Sequence, residues 1–436
     1  MTKKFSDFGL NQKLVDSLKE IGFYNSTSIQ EQIIPLVLKG KNVVGKSQTG
    51  SGKTHAFIIP ILNNLNKTKL QSIIIAPSRE LSEQIFNYFK ELSLIFDKDI
   101  KIATYIGGTD REQQLYKIKK EVPQVIIGTP GRIKDLLSDS IIETKYISSL
   151  VIDEADMTMD MGFIDDIDYI FKSLPIKKQI MFFSATFSQK MKVFLKKYLP
   201  SNTVFIDNNE TFISENIDNF LIFTKGRDHN LIIKKLLNIY NPYLGIIFCN
   251  TRNRAEEVYR YLKESKLKVV KISGDIPSRR RRQIIKQIRD LKYQYVVATD
   301  LAARGIDIDE VSLVINDDIP YDRSFFVHRI GRTGRSGTHG TALTLYDPEE
   351  ENKVSILEKN GIRFINKEIG HNKIIDHYDR DRRKKRVKDH TKLDPGMLGL
   401  IKKKKKKVKP GYKRQIKQRI KIEEQYKRRV KKRNNK

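Results

Sequence analysis

The chain has 436 residues, more than one ordinary domain needs, and its 39% apolar content is enough to build two cores. Lys and Arg number 83 against 52 Asp and Glu, a net charge of +31 that favours a polyanionic partner and argues against a cationic one. A single cysteine, Cys249, excludes an intrachain disulfide, and no apolar run reaches the length of a membrane span, so a cytoplasmic protein is expected.

The opening segment sets Phe5 and Phe8 before a predicted helix over 11–21 that stops at Gly22-Phe23. Thr27 or Ser28 then caps a second helix, with Gln30 in its first turn. The Gln30 amide offers a donor and an acceptor side by side, a match for the Hoogsteen edge of adenine. On this segment alone, a helix-start Gln facing water is the simpler reading. A short strand over 41–46 leads into Ser47-Gln48-Thr49-Gly50-Ser51-Gly52-Lys53-Thr54 and an apolar helix. This is a phosphate loop in its strand-to-helix setting. Its glycines let backbone N–H groups turn toward phosphate oxygens, Lys53 reaches the β- and γ-phosphates, and Thr54 offers a hydroxyl to Mg²⁺. Ser47 stands where the strict pattern has Gly, while the catalytic half of the loop is intact.

Strands are predicted over 72–76, 101–105 and 125–128. They run into Pro77-Ser78-Arg79, Gly107-Gly108 and Thr129-Pro130-Gly131-Arg132. Such turns suit phosphate contact through backbone N–H groups and guanidinium. One alone is an ordinary strand-to-helix joint; three in series on one sheet edge make a track. Leu150-Val151-Ile152 then ends a buried parallel strand, and Asp153-Glu154-Ala155-Asp156 follows where ligands of open α/β sheets bind. Two adjacent carboxylates there can hold a divalent metal and orient a water. An acidic turn after a core strand is the bland alternative, and these four letters alone leave it open. The strand over 179–183 ends in Ser184-Ala185-Thr186, which places hydroxyls beside the acids, or simple turn residues. The first domain closes near 206, and 207–210 reads as a linker.

A second αβ series follows without its own phosphate loop. Strands over 243–248, 269–272, 295–298 and 313–316 lead to turns that include Thr251, Gly274 and Thr299. After the third comes the run from Ala303 to Asp307, and after the fourth His328-Arg329-Ile330-Gly331-Arg332-Thr333-Gly334-Arg335. Arg332 and Arg335, three apart on a glycine-containing turn, suit either a γ-phosphate held by the other domain or an RNA-phosphate patch. From about 372 the pattern dissolves. Residues 371–436 carry 28 basic and 7 acidic side chains, net +21, and are predicted to be disordered. The apolar face of 414–433 is too thin for a membrane surface, so nucleic acid is the expected partner.

These motifs together resemble the DEAD-box family of ATP-dependent RNA helicases, over 5–369 and in the family's order. The likeness is closest to its cold-shock type from low-GC Gram-positive bacteria, to which the tail run Lys409-Pro410-Gly411-Tyr412-Lys413 adds a weaker match. The resemblance implies an α/β fold of two RecA-like parallel-sheet domains in tandem. Their bounds would be 1–207, with an adenine-reading segment at 3–31, and 216–370. A linker would fill 208–215, and 371–436 would be a basic RNA-binding tail. It implies ATP and Mg²⁺ as cofactors. Gln30 with Phe5 or Phe23 would select adenine. Ser47, Gln48, Thr49, Gly50, Ser51, Gly52, Lys53, Thr54 and Asp307 would bind ATP, and Thr54 and Asp153 would hold Mg²⁺. Glu154 would orient and deprotonate the attacking water, helped by Lys53 and by Arg332 and Arg335 as arginine fingers. Asp156, Ser184, Thr186 and His328 would couple the domains. Arg79, Gly108, Thr129, Arg132, Thr251, Gly274 and Thr299 would contact RNA.

The implied activity is RNA-dependent ATP hydrolysis that locally separates duplexes and remodels RNA or RNA–protein complexes, with little sequence preference. Ribosome assembly, mRNA decay or cold adaptation would be its setting, and ribosomal particles or the RNA-decay machinery its further partners, with no membrane. Departures from the family pattern fall at Asn25-Ser26-Thr27-Ser28, where Pro is usual, and at Ser78 in place of Thr. Ser273 and Ser278 replace His and Gln, leaving Arg281 as that segment's basic residue. A DNA translocase on the same plan and a non-catalytic RNA chaperone are the rival classes. The intact Lys53, Glu154 and Arg335 argue against the second.

Overall fold

The computed structural model describes residues 3–47, 51–66, 68–108, 111–187, 189–207, 216–300, 311–320, 323–334, 338–370 and 373–377. Gln48, Thr49, Gly50, Asp307, Arg335, the linker 208–215 and the tail beyond 377 lie outside the described residues.

Short, almost wholly apolar runs set the strands, because a strand covered on both faces has no use for alternation. The first lobe contains β1 (Val43–Lys46), β2 (Ser72–Ile75), β3 (Ile102–Tyr105), β4 (Val125–Gly128), β5 (Ser149–Ile152), β6 (Gln179–Ser184) and β7 (Val204–Asp207). They pair in parallel in the order β3-β4-β2-β5-β6-β1-β7. Successive side chains leave the sheet on opposite faces. Ile74, Val151, Met181 and Phe183 therefore enter one core, and Ile73, Ile75, Leu150, Ile152 and Phe182 the other.

The second lobe repeats the plan with β8 (Ile217–Phe223), β9 (Gly245–Cys249), β10 (Val269–Ile272), β11 (Tyr295–Thr299), β12 (Leu313–Asn316), β13 (Gly340–Tyr346), β14 (Ile365–Ile369) and β15 (Ile374–Asp376). Their order is β10-β11-β9-β12-β13-β8-β14-β15, with parallel pairing from β10 through β14. The sheet therefore continues past residue 370, where the basic tail was expected to begin. The Gly370 N–H donates to Lys373 O at 2.9 Å and returns the chain so that the apolar Ile374-Ile375 pair joins as an edge strand. Cys249 closes β9 and is fully buried in the second lobe.

Parallel register gathers the strand C-termini on one rim. Lys46 pairs with Ser184, and Ile75 with both Gly128 and Ile152, so the residues that follow these strands become neighbours. The lobes touch through Arg281 Nε to Glu80 Oε1 at 2.9 Å, Arg282 Nη1 to Glu83 Oε1 at 3.8 Å, and His328 Nε2 to Asp156 Oδ2 at 3.4 Å.

Candidate active site between two acids and a glycine loop

At the end of β1, the Ser47 N–H donates to Ser184 O at 3.1 Å, which ties the glycine loop to the end of β6. The loop closes at Gly52, whose φ of +96° only glycine adopts without strain. A Cβ there would stand 2.6 Å from Gln30 Nε2 and 2.8 Å from Thr27 Oγ1. Gln30 does not face water: it is only 2% exposed. Its Oε1 accepts from the Thr27 N–H at 2.9 Å in a capping box, and its Nε2 donates to Gly52 O at 3.1 Å. A helix start 22 residues before Gly52 thus becomes part of the phosphate loop's wall. Phe5 packs into the first core, whereas Phe23 is half-buried and rests on His55, the residue after Thr54, with ring centroids 4.6 Å apart.

Lys53 and Thr54 begin the helix Lys53–Asn64. The Lys53 ammonium is buried and donates to Ser47 O. Burial lowers its pKa, against the pull of Asp153, Glu154 and Asp156. Those acids follow β5. Burial first, then the Glu154 charge, pushes the Asp153 carboxyl up to about 7. Its Oδ1 accepts from the Glu154 N–H at 2.9 Å. Glu154 turns the corner into the helix Ala155–Asp160 with φ +43°, a left-handed conformation that costs a non-glycine residue about 1 kcal/mol or more. Its Oε2 is buried with no hydrogen-bond partner among the described residues. A carboxylate oxygen left so is expensive, and such groups gather where a ligand or water completes them.

Asp156 differs. Its Oδ1 accepts from the Met157 N–H at 3.0 Å, and its Oδ2 from the Thr186 N–H and hydroxyl at 2.9 and 2.7 Å. Ser184 donates to Thr186 O at 2.6 Å. Burial would raise the Asp156 carboxyl, but the neighbouring His328 ring and the Thr186 hydroxyl outweigh it and hold it below the usual carboxylate range. The four residues expected to couple the domains are thus gathered at one contact, three from the first lobe and His328 from the second.

Arg332 is buried nearby in sequence, and its Nε donates to His328 O at 3.2 Å. The candidate RNA residues occupy strand ends on both lobes. Thr129 precedes the helix Pro130–Ser138 as its cap residue, and Thr251 caps the helix Arg252–Glu264 by accepting from the Arg254 N–H at 3.2 Å. Gly108 has φ +78°, Thr299 closes β11, and Arg132 lies 3.8 Å from Asp135. A Cβ on Gly107 would meet Arg79 Nη2 at 3.2 Å, and one on Gly274 would meet Arg252 Nη2 at 3.4 Å. Each lobe therefore lays a guanidinium against a bare turn, and Arg252 is a residue that the sequence reading passed over.

The second lobe holds a further polar network that the sequence reading did not assemble. Arg329, 1% exposed, pairs through Nη2 with Asp300 at 2.8 Å and Asn250 at 2.7 Å, and through Nη1 with Asp318 O at 2.9 Å. Arg254 holds Asp317 in a fork at 2.7 and 2.9 Å, and His229 Nδ1 lies 3.1 Å from the same carboxylate.

Two RecA-like sheets in tandem, with a glycine loop and an acid run on one rim, define the helicase class of fold and site. A DEAD/DEAH box helicase domain matches residues 27–194, and a helicase conserved C-terminal domain matches 228–337. The chain belongs to the DEAD-box ATP-dependent RNA helicases, a family of RNA-dependent ATPases. It is 44% identical to the DEAD-box ATP-dependent RNA helicase CshB of Listeria monocytogenes, over 95% of this chain and 96% of that one. It is 42% identical to CshB of Bacillus subtilis, over 95% and 94%. Among solved structures, S. cerevisiae Dbp5 bound to RNA and ADP BeF3 superposes with a TM-score of 0.77 at 30% identity, covering 89% of this chain and 99% of that one. Mss116p bound to ssRNA and AMP-PNP gives 0.77 at 25% identity, covering 92% and 86%.

Proposed function

We propose that this chain hydrolyses ATP on the first lobe and uses lobe closure to pull one strand of a short RNA duplex out of pairing. The observation that carries the reading is the acid run itself. Glu154, with a buried oxygen unpartnered among the described residues, and Asp156, in contact with His328 of the other lobe, are two residues apart on one corner. A group that acts on water is thereby tied to a group that senses the second lobe.

In this reading Gln30 and Phe23 hold the adenine, and the N–H groups of the loop with Lys53 cradle the phosphates. The donor set suits Mg²⁺, which takes oxygen ligands and keeps most of them from water and phosphate. Asp153 and the Thr54 hydroxyl would hold it, and it would neutralise charge on the β- and γ-phosphates. Glu154 accepts the proton of the water that attacks the γ-phosphorus, worth about 10²–10⁴ in rate. Arg332 and Arg335 add positive charge to the transferring group on closure, a contribution of roughly 10³–10⁵ in arginine-finger enzymes. Arg79, Gly108, Thr129 and Arg132 on one lobe, with Thr251, Gly274 and Thr299 on the other, grip the RNA backbone. Such contacts carry little sequence information.

Glu154→Gln tests the reading. The amide still orients a water but cannot take its proton, so ATP and RNA should bind while hydrolysis stalls, leaving a long-lived ternary complex. Release of RNA at the wild-type rate in the presence of ATP would remove Glu154 from the base role. Stimulation by DNA equal to that by RNA of the same sequence would replace the RNA reading with a DNA one.

A further inference from the structure

The first sheet ends at β3, and Gly107-Gly108 leads from this edge strand to the helix Arg111–Lys120. That helix is fixed on its inner side. Ile118 is buried and Leu115 packs beside it in the core beneath β4. Gln114 Nε2 donates to Ile106 O at 3.5 Å, and Arg111 pairs with Asp139 just past the helix Pro130–Ser138. The outer side is different. Tyr116 is 67% exposed, and Lys117, Lys119 and Lys120 are exposed with it. Lys119 and Lys120 stand three and four residues after Tyr116 and so share its face.

A lone exposed aromatic needs no explanation by itself. Here two further facts bear on it. No carboxylate pairs with Lys117, Lys119 or Lys120, and no ring or cation packs on Tyr116, among the described residues. By contrast, the half-buried Tyr146 is covered by Lys69 at 3.5 Å and Lys145 at 4.8 Å from its ring centre. The helix Arg111–Lys120 therefore presents an unfilled π-face and three uncompensated cations together, on an element braced from below. At 1.5 Å per residue, Tyr116 lies about 7–8 Å along the helix from its start, and that start adjoins the Gly107-Gly108 turn.

We infer that this face is a stacking platform for an unpaired RNA base that has left the track at the Gly107-Gly108 turn. The lysines take the adjoining phosphates and Tyr116 takes the base. A single strand is the occupant that supplies both chemistries: a duplex hides its base faces, and an acidic peptide offers charge without a stack. The platform rests on the RNA reading above and extends it, since it lengthens the bound strand beyond the sheet rim and favours RNA with a single-stranded extension.

The test uses the full chain and two oligouridylates, one long enough only for the track and one extended. The extended RNA is tried with the added nucleotides at its 5′ end and at its 3′ end. Tyr116→Ala should weaken binding of one extended RNA by about 5- to 150-fold, the range for loss of one base stack, and leave the short RNA and the ATPase it stimulates unchanged. Tyr116→Phe should bind as the wild type, and Tyr116→Trp as well or better. The double change Lys119→Gln with Lys120→Gln should reduce the slope of log affinity against log salt for the extended RNA by about 0.7 per lost phosphate contact.

Equal affinity of Tyr116→Ala and the wild type for both extended RNAs would overturn the platform. So would an equal loss on short and extended RNA, or a lysine effect with Tyr116→Ala silent, which would reduce the face to a simple phosphate contact. Failure of the RNA reading is recognised separately: the wild type itself would then not bind the short RNA in an ATP-dependent way.

Discussion

The two lobes share one strand order, and the fourth strand in each ends in adjacent acids: β5 in Asp153-Glu154, β12 in Asp317-Asp318 beyond Asn316. In the second lobe both acids of this pair have partners. Arg254 and His229 face Asp317, and the Asn250 N–H donates to Asp318 at 2.9 Å with Arg329 Nη1 3.4 Å away. Burial pushes one acid up in each lobe, Asp318 to about 6 and Asp153 to about 7, but the first-lobe pair has Lys53 as its cation, and Glu154 keeps an oxygen with no partner among the described residues. One architecture has thus placed the same chemistry under opposite conditions. Completed pairs hold a fold together; an incomplete pair stores capacity for a substrate and a water.

That contrast can be broken most forcefully by exchanging the kind of loss each lobe suffers. Glu154→Gln should lower RNA-stimulated ATP hydrolysis by about 10²–10⁴ with no fall in the thermal midpoint, because no hydrogen bond is lost at Oε2. A cooperative loss of stability would mean that Glu154 is structural. Arg329→Met should do the reverse. It strands Asp300 and Asp318 without their buried cation and should cost roughly 3–5 kcal/mol in denaturant unfolding of the second lobe. An unchanged midpoint would show that the network is dispensable.

Between these extremes lies the contact that joins the lobes. Asp156→Asn weakens the attraction to His328 and to the Thr186 hydroxyl, so RNA should stimulate the ATPase less, by roughly 5- to 150-fold, while the unstimulated rate stays near wild type. Equal loss in both rates would place Asp156 in the chemical step. The smallest effect is expected at His229, faced by Asp317, Asp347 and Arg254. The Asp317 hydrogen bond is the largest influence, and the His229 pKa is raised from its ordinary 6.5. The pairing therefore stabilises the second lobe fully below about 6.5 and loses that contribution as pH rises through the folded value. His229→Gln should unfold earlier than the wild type by roughly 1 kcal/mol at pH 6 and match it at pH 9. A gap that persists at pH 9 would reassign His229 to packing.

Much of this was legible before the structure. Runs such as Ile73-Ile74-Ile75 and Leu150-Val151-Ile152, short, β-branched and bounded by turn residues, read as buried strands, and the turns after them fall on one rim by topology. The loop around Lys53 and the acids after β5 carry their own spacing. Gln30 was half legible: Thr27 with Gln30 three residues on is a capping box, but its bond to Gly52 depends on two helices meeting. The arginine run from 329 to 335 was legible as a cluster and not residue by residue. Only the fold shows that Arg329 turns inward to Asp300 and Asp318, 29 and 11 residues away in sequence. The His229–Asp317–Arg254 group likewise spans 88 residues and has no local pattern to betray it.

Cys249 gives the second lobe a built-in clock. The thiol is buried in the centre of that sheet, and burial raises its pKa well above the usual thiol value, so neither contact with a reagent nor thiolate formation is available while the lobe is closed. With no other cysteine in the chain, the rate at which a thiol reagent is consumed counts openings of the second lobe alone. Following that rate as nucleotide and RNA are added would time the breathing of one lobe in the intact protein, with no dye and no engineered residue.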